Sequence, residues 1–174
     1  SIYVQTDYPA LSTLASQFAG WRIKVENYSA IGSGPARAIA LKPKKLYRKL
    51  NYQENPESAV LVLETNEKPP KEVIQKISEA CNVSPANLFL ILVPTSCIAG
   101  SIQVSGRIVE TGLHKLEKLG LDPNVVEYAW GYAPIIPPHP KSDEAMGRTN
   151  DAILYGGTAY FMVDYERDDE LEEI

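Results

Sequence analysis

Cysteine is scarce in this chain, and Cys81 and Cys97 are the only two. Two thiols cannot build a disulfide framework, and their spacing fits no zinc pattern. Reduced thiols and a cytoplasmic setting are expected. Histidine is equally sparse, with His114 and His139 alone, so no metal site is expected. No apolar run approaches the roughly 18 residues of a membrane span, which leaves no membrane partner in view. The opening Ser1-Ile2-Tyr3-Val4-Gln5 lacks the basic-then-apolar plan of a secretory signal. Positive charge is also in deficit, with 17 Lys and Arg against 22 Asp and Glu. Much of that imbalance lies in the tail, where Asp164, Glu166, Asp168, Asp169, Glu170, Glu172 and Glu173 oppose Arg167 alone. The remaining body is near neutral, which argues against a nucleic-acid partner. The cluster Lys42-Pro43-Lys44-Lys45 through Arg48-Lys49 has no interleaved aromatic platform and reads as a solvated helix face.

What is present is an ordinary globular composition: 174 residues, 44% hydrophobic and 22% charged. That length supports one sizeable domain or two small ones sharing a core. The strand-like opening without an initiator methionine and the uncapped acidic ending favour part of a longer protein. Alternation predicts strands at Tyr3 to Gln5 and Trp21 to Ser29, and a short helix from Leu11 to Phe18 lies between them. A helix interrupted by Pro43 follows from about Arg37 to Leu50, then a buried strand from Ala59 to Glu64. Pro69-Pro70 opens a helix carrying Val73, Ile74, Ile77 and Cys81 on one face. Leu88 to Val93 is wholly apolar, the pattern of a strand buried on both faces. A further strand spans Val125 to Ala133 and precedes a proline-rich loop. Ala152 to Tyr155 and Thr158 to Asp164, split by Gly156-Gly157, read as a hairpin. The expected class is α/β, with mixed parallel and antiparallel sheets in two layers, packed helices, and antiparallel additions at both ends.

The most informative stretch is Ser105-Gly106-Arg107-Ile108-Val109-Glu110, between Gln103 and His114. On one continuous helix, Gln103, Arg107, Glu110 and His114 share a face. The opposite face carries Ile102, Ile108, Val109, Leu113, Leu116 and Leu119 and can pack on a core. A permanent cation one turn from a carboxylate can hold an acid/base group beside an anion-stabilising donor. The same spacing also occurs on solvated helix faces.

Three loops can carry polar contacts. Gly32-Ser33-Gly34-Pro35-Ala36-Arg37 places amides, a hydroxyl and a guanidinium at a helix start, fit for an anion or for a plain tight turn. Pro94-Thr95-Ser96 sits at the carboxyl end of the apolar strand, where α/β sheets bind ligands and where hydroxyls also cap helices. Gly147-Arg148-Thr149-Asn150-Asp151 offers donor and acceptor groups to a planar heterocycle, or an Asx-type turn. His114 has no paired nucleophile, and Cys97 has no visible base.

Taken in order, these segments resemble the methenyltetrahydromethanopterin cyclohydrolase family. The resemblance runs through Thr6-Asp7-Tyr8-Pro9-Ala10, Ala19-Gly20-Trp21, Gly32-Ser33-Gly34-Pro35-Ala36-Arg37-Ala38 and Pro94-Thr95-Ser96. It continues through Gly100-Ser101-Ile102-Gln103, Gly106-Arg107-Ile108-Val109-Glu110 and Ala145-Met146-Gly147-Arg148-Thr149-Asn150-Asp151-Ala152. All 174 residues are covered, as the central portion of a longer family sequence.

That resemblance implies a cleft between two α/β lobes, with this chain spanning parts of both, in a homotrimer. It implies hydrolysis of the cyclic amidine in 5,10-methenyltetrahydromethanopterin to the 5-formyl product, in methanogenesis or formaldehyde oxidation. The tetrahydromethanopterin derivative is the substrate, and no cofactor is required because the amidinium is already electrophilic. By resemblance Glu110 is the acid/base group and Arg107 orients it and stabilises developing oxygen charge. Gly32, Ser33, Gly34, Arg37, Thr95, Ser96, Gln103, Thr149, Asn150 and Asp151 are the expected substrate contacts. Two other readings stand beside this one: a pterin-binding module without turnover, and a structural fragment of the enzyme.

Overall fold

Two sheets of different make-up organise the chain. In this computed structural model residues 1–18, 20–166 and 171 are described. Ala19 and the acidic tail at 167–170 and 172–174 lie outside the described residues. The chain order is β1 (Ile2–Thr6), a π-helical turn (Ala10–Ala15), β2 (Trp21–Val25), β3 (Tyr28–Ser33), α1 (Ala36–Ile39) and α2 (Lys44–Lys49). It continues with β4 (Ala59–Glu64), α3 (Lys71–Cys81), β5 (Leu88–Val93), α4 (Ile98–Ser105), α5 (Ile108–Leu119), β6 (Val126–Ala133), α6 (Ser142–Gly156) and β7 (Thr158–Val163). No described helix is long and apolar enough to cross a membrane.

The first sheet has the order β2-β3-β4-β5, antiparallel until β4 and β5, which run parallel. Alternation in β4 turns Ala59, Leu61 and Leu63 toward α1 and α3, where they meet Ile23, Val73, Ile77 and Cys81. The other face, with Val60, Val62 and Glu64, is left for the site. The second sheet, β1-β6-β7, is antiparallel and joins the first strand of the chain to the last two. α5 lies against it through Val109 and Leu113, and the Phe161 ring rests on Gly112, where a Cβ would fall 2.8 Å from Phe161 Cζ. α5 stops at Gly120, whose φ of 114° closes the helix in the left-handed region.

Five expectations are corrected here. The strand read through Ser29 is a hairpin: Val25 pairs with Tyr28 across a two-residue turn at Glu26 and Asn27. Gly32 and Ser33 therefore belong to β3 rather than to a loop. β5 is an edge strand, not a doubly buried one, with Phe89 57% and Ile91 50% exposed. Its apolar run marks one covered face and one open one. Gln103 and Arg107 are not on one continuous helix, because the chain breaks at Gly106 and Arg107 between α4 and α5. Residues 147–151 and 152–155 are neither loop nor strand. They form the body of α6, which buries Ala145, Thr149 and Ile153 at a four-residue spacing, and no hairpin forms at Gly156-Gly157.

Candidate active site

The break between α4 and α5 makes the site. Gly106 ends α4, Arg107 stands at the N-cap position of α5, and Glu110 falls in that helix's first turn. A carboxylate there sits at the positive end of the helix dipole. Arg107 donates from Nε and Nη2 to Oε2 of Glu110, at 2.9 and 2.8 Å. This fork is short and charge-assisted. Glu110 is 1% exposed, while the Arg107 side chain is 30% exposed. The carboxylate is thus held from within and the guanidinium reaches outward.

Arg107 lies between two cavities. One, of about 150 Å³, is bounded by the outer face of the first sheet at Ser33, Val62 and Glu64, by Thr95, by Gln103 of α4, and by Met146 of α6. The other, of about 450 Å³, holds Glu110, Thr111 and His114 of α5 with Phe18, and Asn150, Ile153 and Leu154 of α6. A third, polar cavity of about 330 Å³ lies beyond Glu64 and Thr95, which are hydrogen-bonded to each other and line both spaces. Thr95 and Glu64 are thus common to the first and third spaces, and Arg107 to the first and second.

Gly100 sets the width of the first cavity. A Cβ there would lie 2.3 Å from the Pro94 carbonyl oxygen and 2.9 Å from Thr95 Cα, so only glycine lets α4 seat on this turn. Cys97 caps the same helix by accepting from Gly100 N at 3.4 Å, which gives the thiol a structural task.

Of the expected contacts, Ser33, Thr95 and Gln103 line the space beside Arg107, and Asn150 lines the space beside Glu110. The others stand elsewhere. Gly32 packs over Leu61 and Ile23, inside the core. The Gly34 amide donates to Ser16 O at 2.9 Å, and the Arg37 and Ala38 amides donate within the turn, so this loop offers no anion cradle. Arg37 is fully buried, donating from Nε to Lys42 O at 2.8 Å and from Nη2 to Phe18 O at 2.5 Å. Burial lowers its pKa from 12.5 to about 10; Tyr47 and Glu110 pull it back up, and Arg107 pushes it down. It remains a cation at neutral pH. Ser96 borders none of the three spaces. Thr149 is buried and donates to Ala145 O at 2.8 Å, and Asp151 is exposed on α6.

Sequence reasoning missed Gln17, Glu64 and Met146 in the first cavity. The buried Oε1 of Gln17 has no hydrogen-bond partner among the described residues. Glu64 ends a strand whose other residues are all apolar, and a carboxylate at the carboxyl end of such a strand was a readable signal. Among the described residues no group of three or more His, Cys, Asp or Glu is placed to hold a metal.

The comparisons with known proteins bear on the whole of this arrangement. The family model for Cyclohydrolase (MCH) matches residues 1–174. A methenyltetrahydromethanopterin cyclohydrolase from Methanothermobacter marburgensis is 49% identical over 175 residues, covering 100% of this chain and 55% of the relative. Proteins of the same name from Methanococcoides burtonii and Methanocaldococcus jannaschii are 46% and 44% identical, each over 99% of this chain and 54% of the relative. The chain spans about half the length of the curated relatives it matches. With the match running from the first residue to the last, the chain belongs to the MCH cyclohydrolase family.

Proposed function

We propose that this chain carries the reacting face of a methenyltetrahydromethanopterin cyclohydrolase, with the two sheets as parts of its two lobes. The observation that carries the reading is the buried Glu110 carboxylate held by Arg107 where two cavities meet. The substrate class comes from the names of the relatives, all cyclohydrolases of a methenyl pterin.

Water attacks the methenyl carbon between N5 and N10, and Glu110 takes one of its protons. The cation becomes a neutral carbinol, whose oxygen the Arg107 guanidinium stabilises as charge develops on it. Glu110 then returns its proton to N10 as the C–N10 bond breaks. The carbinol O–H then gives its proton to the Glu110 carboxylate, ionised again by that transfer, as the formyl C=O forms on N5. One cation and one water yield a neutral 5-formyl product and one free proton. The amidinium is electrophilic by itself, so the attack of water needs no activation of the methenyl carbon. We place the heterocycle in the first cavity with its reacting carbon turned past Arg107 toward Glu110; there Glu64 and Gln17 offer acceptors to ring N–H donors, and Ser33, Thr95 and Gln103 offer polar edges.

The test follows loss of the methenyl amidinium absorbance on adding the purified chain, with Glu110→Gln beside it. The parent hydrolyses the substrate, and the variant loses turnover by about 10²–10⁴-fold while still binding it. Turnover retained in Glu110→Gln removes Glu110 from the reaction. Saturable binding without turnover in the parent favours the second reading, a pterin-binding module.

A further inference from the structure

The hydrolysis written above leaves one proton over in every cycle. Glu110 accepts twice and donates once, yet it is only 1% exposed and its hydrogen-bond partner among the described residues is Arg107, which cannot accept a proton. A second group must therefore clear it.

We propose that His114 carries the surplus proton from Glu110 to solvent; this rests on the proposed hydrolysis. His114 lies one helical turn beyond Glu110 on α5, at the spacing that brings Cβ atoms to about 5–6 Å. Both line the same cavity of about 450 Å³, which has room for a bridging water. Nε2 of His114 is buried and has no hydrogen-bond partner among the described residues, so in the Nδ1–H tautomer it is an open acceptor. The residue as a whole is half-buried, which places the ring between cavity and solvent. Phe18 holds the ring, with centroids 4.2 Å apart, and the Phe18 carbonyl is in turn fixed by Arg37.

Among the described residues lining that cavity, nothing else competes for the task. Arg107 and Glu110 are its charged groups; Thr111 on α5 and Asn150, Ile153 and Leu154 on α6 carry none, and Phe18 is apolar. Arg37 acts on Glu110 only through its buried charge. Imidazole is the side chain suited to taking and passing a proton near neutral pH. In each cycle the Glu110 carboxyl gives its proton, directly or through one water, to Nε2. The ring then loses its Nδ1 proton to buffer, and proton exchange through water restores the tautomer that accepts at Nε2.

His114→Phe keeps a ring against Phe18 and removes the accepting nitrogen, and His114→Gln keeps polarity without titrating. Turnover of both is expected to fall about tenfold in dilute buffer and to recover as free imidazole is added, while the parent responds to neither condition. No loss in dilute buffer, or a loss that imidazole leaves unchanged, overturns the proposal. A second readout needs no activity. At fixed pH, the imidazole ¹⁵N resonances of His114 are expected to change in Glu110→Gln, with those of His139 as the unmoved control. His114 resonances that stay in place overturn the proposal even if the parent hydrolyses its substrate. If the parent shows no hydrolysis, the proposed function fails and the resonance comparison alone decides whether the two groups are coupled.

Discussion

Two arginines approach Glu110 from different regions and do different work. Arg37, in the turn after β3, is fully buried and gives its donors to the carbonyls of Phe18 and Lys42. Arg107, at the break between α4 and α5, is 30% exposed at its side chain and gives its donors to a carboxylate. Main-chain carbonyls cannot change their protonation state, so the first pairing is fixed once the chain folds. A carboxylate can, so the second pairing is free to tighten and loosen through a reaction. Arginine in a sequence does not disclose its partner; the partner decides whether the charge holds the fold or serves the site.

Exchanging each arginine for lysine tests that contrast most strongly. Arg107→Lys keeps the charge but loses the fork, and is expected to lower turnover about 10²-fold with little change in melting temperature. Arg37→Lys should do the reverse, with folding stability falling by about 2–3 kcal/mol as buried carbonyls lose donors, and turnover of the folded fraction kept. Denaturant melts and initial rates on the same preparations read both effects. Equal loss of activity in the two variants would erase the distinction.

A smaller effect is expected at Gly100, on the Arg107 side. Gly100→Ala forces α4 away from the Pro94–Thr95 turn at a cost of about 1–3 kcal/mol and carries Gln103 with it. Affinity for the substrate, measured by titration with Glu110→Gln as background, should weaken more than the affinity of Arg37→Lys in that background.

The smallest lies on the Arg37 side, at Tyr47. Burial raises the Tyr47 phenol from 10.0 to about 12, and its hydroxyl donates to Ala15 O at 3.1 Å. A raised value means the stability from the buried neutral phenol is complete below pH 10 and is lost as pH climbs toward about 12. Tyr47→Phe should cost about 1 kcal/mol at neutral pH and flatten that alkaline loss, as melts across the range would show. Cys81, raised by burial from 9.0 to about 11, adds a decline of the same sign beginning near pH 9 and survives in the variant.

Much of this arrangement was legible in the residues, because it depends on local spacing. Arg107 and Glu110 are three apart and meet within one helical turn, and the apolar run before Glu64 reads as the strand that β4 is. The helix break at Gly106 was less visible, since apolar residues continue on both sides of it. Ala152 to Tyr155 misled because a short apolar run fits a strand or a helix. The longer period of Ala145, Thr149 and Ile153 decides for the helix, and it leaves Leu154 and Tyr155 at 65% and 87% exposed. The turn between β2 and β3 was hidden by its residues, Glu26 and Asn27, with Glu26 at φ 49° where a glycine would have announced it. Glu64 and Gln17 were missed because each meets the site only across a sheet or a distant helix. No sequence window holds both.

The open edge of β5 bears on how the chain behaves in a test tube. Leu88-Phe89-Leu90-Ile91-Leu92-Val93 has no charge, proline or bulge to blunt it, and among the described residues its outer main-chain groups have no neighbouring strand in the sheet. Such an edge is a template for any other strand, including its own copy. Dilution, more than temperature, then governs how long a preparation stays monodisperse, and a rate taken in a dilute cuvette and a spectrum taken in a concentrated tube can report on different particles.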